Sequence, residues 1–373
     1  MSAEFLKPGQ YAEWDAFVNA HPLSTVFHLS AWNRIAKKVY GIENTIAVSR
    51  GPSGQIRGGT TLFFAKRPGS WYVTSGIFGA YGPILGDREA LREVLDAAKD
   101  YARGRKAKYL HLKALEGPKG KNDFTHPSYD RQDIWVTAFM AVGGTAEELW
   151  KSLPGPMRTK VRKAEKSELG IRWASASGAG GAGIDERELK EFYDVLADNM
   201  HRKGSPIYGY AFMQEIMREF ADGKAEVEAD TLILELKSGE AGADGSGKAE
   251  VVSGAMVLRH KGVVYVPFVS SRSKFFPLRP NNLLYWEIIR DANRRGNAWL
   301  DFGTSIRGAS TLQFKESWGA ATYPVVSYVY SESGEKIRLD AGAKSVQFGV
   351  ELWKKLPRGV ADRLGPVLSK LMV

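Results

Sequence analysis

Lys315 stands between Phe314 and Trp318 in "DFGTSIRGASTLQFKESWGA", residues 301–320, a stretch otherwise rich in Gly, Ser and Thr. Two readings of such a lysine are open. Either it snorkels from an edge strand while its aromatic neighbours fill the core, or Phe314 and Trp318 keep water from a cation whose field then acts on developing negative charge. Asp301 closes the strand-like "WLDFG" just upstream, as an orienter of the lysine, a proton acceptor, or half of a surface ion pair. Thr304 and Arg307 lie between the two and join them as candidate substrate-binding groups.

Further cations cluster elsewhere. "RTKVRKAEK" puts Arg158, Arg162 and Lys166 on one helix face with Lys163 beside them, which is either a solvated face or a pair of guanidinium forks able to clamp a phosphate or carboxylate. "HRKGSPIYG" ends a helix with His201, Arg202 and Lys203, then Gly204 as C-cap and Pro206 as stop, and Tyr208 adds a hydroxyl. In "SSRSKFFPLRPNNLLYWEII", a loop carrying Arg272, Lys274 and Arg279 leads into a helix opened by Asn281, the arrangement of an anion receptor at a helix N-terminus.

Several other chemistries are excluded. Gly178, Gly180 and Gly183 spell G-x-G-x-x-G, but Asp185 and Glu186 would occupy the helix start where a pyrophosphate binds, so the segment reads as a linker. "GPKGK" at 117–121 lacks the Ser or Thr of a phosphate-binding P-loop and reads as a basic loop. The six histidines show no i, i+4 pairing and no G-x-S-x-G occurs, against metal catalysis and a serine hydrolase. With no cysteine there is no disulfide, thiolate site or cysteine nucleophile.

The elements that must position these groups follow from the rest of the 373 residues, a length that suggests about two or three domains. The 52 Lys and Arg against 42 Asp and Glu leave a net charge of +10, which favours polyanionic partners. No apolar stretch is long enough to span a bilayer and the first residues lack a signal-peptide core, so a cytoplasmic protein is expected. The tail "SVQFGVELWKKLPRGVADRLGPVLSKLMV" is amphipathic and basic, suited to packing on the second domain or to peripheral contact with an anionic membrane.

A faint internal repeat runs through the chain. The first half reads as helices at "EWDAFVNA" and "FHLSAWNRIAKKVYG", strands at "GGTTLFF" and "WYVTSGIF", a helix at "REALREVLDAAKDYARGRK" and a strand at "YLHL". The second half replays the order with "LKEFYDVLADNM", "YGYAFMQEIMREFADG", "VVSGAMVL", "GVVYVPFV", "NNLLYWEIIRDANRRG" and "WLDF". Trp32 aligns with Phe212 at an offset of about 180, and Gly59 with Gly254 and Leu110 with Leu300 at about 190 to 195, the difference falling in the Gly-rich loop at 237–250. "IWVTAFMAV" reads as a strand, and two short helices follow it, separated by Pro154, Gly155 and Pro156. The expected architecture is a mixed α/β fold used twice, with residues 1–150 and 151–335 as units and 336–373 as the tail.

In chain order, "VFHLSAW", "RTKVRKAEKSELGI", "HRKGSPIYG", "RPNNLLYWEIIRDANRRGNAWLDFG" and "STLQFKESWGA" resemble the Fem-type (FemABX) aminoacyltransferases, most of all the FemAB-related proteins of exosortase and exopolysaccharide (PEP-CTERM) systems. The F-K-x-x-W-G at 314–319 is the most specific part. The resemblance implies two tandem GNAT-like acyltransferase domains and transfer of an amino acid from aminoacyl-tRNA to an amine of a phosphorylated or lipid-linked cell-envelope acceptor; no cofactor besides the donor is expected, and the histidine spacing gives no metal. It makes Lys315 the catalytically important lysine and puts Asn281 and Asn282 where such folds bind donor phosphates. Aminolysis of an ester or thioester passes through a tetrahedral oxyanion, which Lys315 would steady. Two departures stand beside it: no long heptad segment supplies the family's coiled-coil arm, and its Asp-Pro after the last strand of the first domain is missing, with only Glu116 near "HLKALEG". An acyl-CoA-dependent N-acyltransferase of polysaccharide assembly is thus a second expectation, although no Q/R-x-x-G-x-G/A pyrophosphate loop occurs, and a non-catalytic polyanion-binding scaffold is a third.

Overall fold

The computed structural model describes residues 3–372 except 68, 83, 122–125, 168, 176–185, 222–225, 237–248 and 340–343. The G-x-G-x-x-G at 178–183 and most of the loop at 237–250 therefore lie outside the described residues. Along the first half run β1 (Glu4–Leu6), α1 (Tyr11–Ala20), α2 (Ala31–Tyr40), β2 (Glu43–Arg50), β3 (Ile56–Arg67), β4 (Ser70–Thr74), β5 (Ile84–Gly86), α3 (Arg88–Gly104), β6 (Tyr109–Gly117), β7 (Gly120–Lys121) and β8 (Asp130–Ala141). Then come α4 (Ala146–Ser152), α5 (Gly155–Glu165), β9 (Leu169–Ser175), α6 (Glu186–Lys203), α7 (Tyr210–Ala221), β10 (Val227–Leu236), β11 (Val251–His260), β12 (Val263–Ser271), α8 (Pro280–Arg294), β13 (Trp299–Ile306), α9 (Ser310–Glu316) and β14 (Ala321–Tyr330). Helices α10 (Lys344–Lys355) and α11 (Arg358–Ser369) form the tail. The basic "GPKGK" is the tip of the β6–β7 hairpin, where Gly117 pairs with Gly120.

Among the described residues 14 strands join one sheet, whose path is β1-β2-β3-β4-β6-β14-β8-β13-β12-β11-β10-β9, with β5 on β3 and β7 on β6. Read inward from either end, the path repeats itself. Antiparallel strands lead to one parallel pair, β4 with β6 or β12 with β13. Leu110 pairs with Val73 in the first and Leu300 with Val264 in the second, the equivalence that the repeat predicts. At the centre the halves exchange strands: β14, late in the chain, lies against β6, while β8 lies against β13, and β8 and β14 pair with each other.

Helices cover both faces, so strand β11 is buried almost end to end. Helices α1, α2, α6 and α7 pack one continuous cluster across the halves, in which Trp32 meets Phe220 at a ring distance of 5.8 Å. The opposite face is covered by α3 in the first half and by α5 and α8 in the second. Two equivalent glycines let an aromatic side chain approach the sheet. A Cβ on Gly59 would lie 2.6 Å from Trp14 of α1, and one on Gly254 would lie 2.7 Å from Phe192 of α6. The tail packs on α6, with Val350 against Gly204 and Arg358 bonded to Asp194 and Asp198.

Candidate active site

The parallel pairing of β12 with β13 covers only Val263 to Tyr265 against Trp299 to Asp301. Beyond it the β13 register slips between Asp301 and Thr304, where Gly303 takes φ +80°, a conformation open to glycine. The strands part there, and a cavity of about 560 Å³ opens between the far part of β12, the bulge of β13, α6 and α9.

Lys315 reaches this cavity from the last turn of α9. The segment is a short helix and not the edge strand of the first reading, and the turn after it closes at Gly319, φ +84°. What orients it is an aromatic cluster on its other side: Tyr285 lies 5.0 Å from Phe302, 5.5 Å from Phe314 and 6.1 Å from Trp318. Trp318 is fully buried while Phe314 lines the cavity, so the two bracketing aromatics do different work. The lysine is 8% exposed, and its Nζ donates to the carbonyl oxygens of Gly303 at 2.7 Å and Thr304 at 3.0 Å, both freed by the bulge. An ammonium has three N–H groups, so the third is left for a bound molecule.

Asp301 is no surface ion pair. It is buried, and its Oδ1 accepts from Thr137 Oγ1 at 2.5 Å and from the Gly303 amide at 2.8 Å, while Oδ2 is buried without a hydrogen-bond partner. Burial pushes the Asp301 carboxyl well above the usual carboxylate range, against the Gly303 amide and the Lys315 charge. Burial likewise pulls the Lys315 ammonium below the usual lysine range, and the Asp301 charge opposes that. Each charge thus holds the other in place.

The other expected residues divide. Lys203, Asn281, Thr304 and Phe314 line the same cavity. Burial, then the Arg202 charge, lowers the Lys203 pKa. Tyr208 stands behind the wall, its ring against Phe78, Phe212 and Phe268, and burial raises its phenol to about 12. Asn281 lies one position inside α8, which Pro280 opens, and its Oδ1 accepts from Ser271 Oγ at 2.6 Å.

The rest are placed elsewhere. Asn282 is buried, with Nδ2 on Met157 Sδ at 3.2 Å, so it serves the core and not a donor phosphate. Arg158 donates to the carbonyls of Lys151 and Leu153, both at 2.9 Å, and so finishes α4. Arg162 lies over Trp150 at 5.4 Å beside a different cavity, and Lys163 is exposed on the same helix. The expected clamp on α5 is therefore not assembled. His201 faces the tail, its Nε2 at 2.9 Å from the Leu356 carbonyl, and Arg307 pairs with Asp133 at 2.8 Å on the surface. Arg279 does not line the cavity: its backbone at φ +60° turns the chain into α8, while Arg272 and Lys274 are paired with Asp194 and Glu250.

Sequence reasoning missed the first half's share. Phe27, Phe78 and Tyr81 cross over to line the Lys315 cavity. A second cavity, of about 180 Å³, shares Phe78, Gly79, Tyr81 and Thr304 with it and leads to Lys113 of β6. Lys113 Nζ donates to the Gly76 and Ala80 carbonyls at 3.1 and 3.2 Å, the same two-carbonyl hold as that on Lys315. Burial, helped by Arg67, lowers the Lys113 pKa to about 8. Its signal was a lysine at an inward-alternating position of the apolar strand "YLHLKAL".

Comparison with known proteins adds to this geometry. The acetyltransferase (GNAT) domain family matches residues 156–316, the stretch that contains α5 to α9. The Lipid II:glycine glycyltransferase of Staphylococcus aureus is 27% identical over 232 residues, 58% of this chain and 52% of that protein. The chain thus spans about half the length of this curated relative. The crystal structure of FemX superposes with a TM-score of 0.63 at 18% identity, covering 89% of this chain and 97% of that one. A tandem GNAT protein from the clavulanic acid biosynthesis pathway gives 0.53 at 11% identity, covering 90% of this chain and all (100%) of the other.

Proposed function

We propose that this chain, homologous to the FemX-type Lipid II:glycine glycyltransferase and carrying a GNAT acyltransferase domain, transfers an aminoacyl group to an amine of a lipid-linked cell-envelope acceptor. The observation that carries the reading is the Lys315 ammonium, fixed by two carbonyls and facing a cavity between the halves. Residues 1–150 and 151–335 act as two acyltransferase-like units, with 336–373 as the tail.

The donor is aminoacyl-tRNA, whose ester is activated enough for aminolysis. The acceptor nitrogen attacks the ester carbonyl carbon, the C–N bond forms, and the carbonyl electrons move to oxygen. The free N–H of Lys315 stabilises that oxyanion where Phe314 and Phe302 exclude water. Collapse breaks the C–O bond, and the proton lost by the amine ends on the departing ribose hydroxyl. Asp301 is a positioning residue that keeps Lys315 charged. The donor occupies the Lys315 cavity and the acceptor amine enters through the Lys113 cavity, since the two share Thr304 and Tyr81. The reaction takes place at the cytoplasmic face, and an exopolysaccharide-linked amine is the other acceptor class that this chemistry fits.

A second donor is favoured by one finding, the acetyltransferase description of the matching family: an acyl-CoA thioester. Incubating the protein with charged tRNAs and acyl-CoAs in parallel decides between them by which acyl group appears on an amine. Lys315→Met is expected to lower kcat by about 10²–10³-fold with the fold intact by circular dichroism. Salt-sensitive binding of polyanions with no transfer from either donor would reduce the protein to a scaffold.

A further inference from the structure

The tail offers one face that the body leaves uncovered. Helix α11 turns Ala361, Gly365 and Ser369 inward, and a Cβ on Gly365 would lie 2.9 Å from Ile207, so only small residues fit there. Its large apolar residues point outward: Val360 is 42% exposed, Leu364 44% and Val367 67%. A helix made only to pack on its own protein carries the opposite arrangement.

Charge says what covers this face. Arg363 and Lys370 border the apolar stripe at helical spacing, and Lys355 is exposed at the end of α10. The acids nearby are engaged: Asp362 pairs with Arg358 at 3.3 Å and Glu351 with Lys354 at 2.7 Å. Exposed aliphatic residues rimmed by Lys and Arg suit the headgroup region of an anionic bilayer. Among the described residues no helix is long and apolar enough to cross a membrane, so contact of this kind is peripheral.

We infer that α11, with the end of α10, docks the protein on an anionic lipid surface. The inference rests on the lipid-linked acceptor proposed above and adds where the protein meets it. Helix α6, on which the tail packs, lines the Lys315 cavity through Asn199, Met200 and Lys203. Docking the tail therefore sets α6, which lines the cavity, one helix away from the lipid surface where a lipid-linked amine would be presented.

The test is co-sedimentation of the full chain with vesicles of phosphatidylcholine alone or mixed with an equal part of phosphatidylglycerol. Binding is expected to be at least about tenfold stronger to the mixed vesicles and to weaken as salt is raised. The Leu364→Glu, Val367→Glu double variant and the Arg363→Glu, Lys370→Glu double variant should each lose it with unchanged thermal unfolding. Equal binding by the apolar double variant, or no binding to mixed vesicles, overturns the inference. So does a concentration-dependent dimer in analytical ultracentrifugation that the apolar variant abolishes, since a second copy would then cover the face. Vesicle binding requires neither donor nor acceptor, so it stands or falls apart from the transfer assay.

Discussion

Lys315 and Asp301 are each pushed by burial toward the uncharged form, and each charge resists the other's neutralisation. The sign of this coupling is testable. In Asp301→Asn the opposing charge is gone, so the Lys315 pKa falls further and the alkaline limb of kcat/KM moves to lower pH. An unmoved limb would show that Lys315 does not titrate in it. Stability has its own signature. Asp301 in the folded chain keeps a proton that the unfolded chain has already released, so between its ordinary pKa and its raised one the wild type loses stability as pH rises. The variant lacks that loss, and its melting temperature relative to wild type should be higher at about pH 8 than at about pH 5. The lysine and its aromatic bracket were legible in "FKESWG" because residue types and short sequence spacings are local. Thr137, which orients Asp301 from β8, was not, because that contact joins residues far apart in the chain.

At the scale of elements, the β13 bulge makes the site by turning two successive carbonyls toward α9. Gly303→Ala has room for its Cβ, the nearest atom being the Val266 carbonyl oxygen at 3.9 Å, so its cost is the backbone conformation alone. It should lower stability by about 1–2 kcal/mol and, by shifting the carbonyls, lower kcat by about 10- to 100-fold. A thermal melt and a turnover assay check both. Strand and helix order was readable from periodicity, and the aligned glycines 59 and 254 marked equivalent helix–sheet contacts. The helical state of α9 was not fixed by sequence, which left an edge strand open, because "GASTLQFKES" is short and rich in residues neutral to helix, and tertiary packing of Phe314 and Trp318 decides it. On α5 the spacing correctly gave one face for Arg158 and Arg162, but not that the α4 carbonyls and Trp150 would claim them.

At the scale of the molecule, the repeat was visible in sequence while its interlocking was not, since β8 and β14 carry nothing local that says which half each will join. The sheet path makes the halves mutually dependent. A fragment of residues 1–150 lacks β14 and leaves the β6 edge unpaired, so it should give no cooperative thermal transition. The intact chain should unfold in one transition by calorimetry and by circular dichroism alike. Two separated transitions would mean that the central ladder contributes little.

Synthesis runs from the N-terminus, and domains as a rule fold as they leave the ribosome. Here the first unit's neighbour for β6 is residues 321–330, so the unit cannot finish until that distant strand has emerged. Until then its open edge is a hazard for the nascent chain. Truncated translation products should accordingly be cleared or aggregate instead of persisting as a folded half.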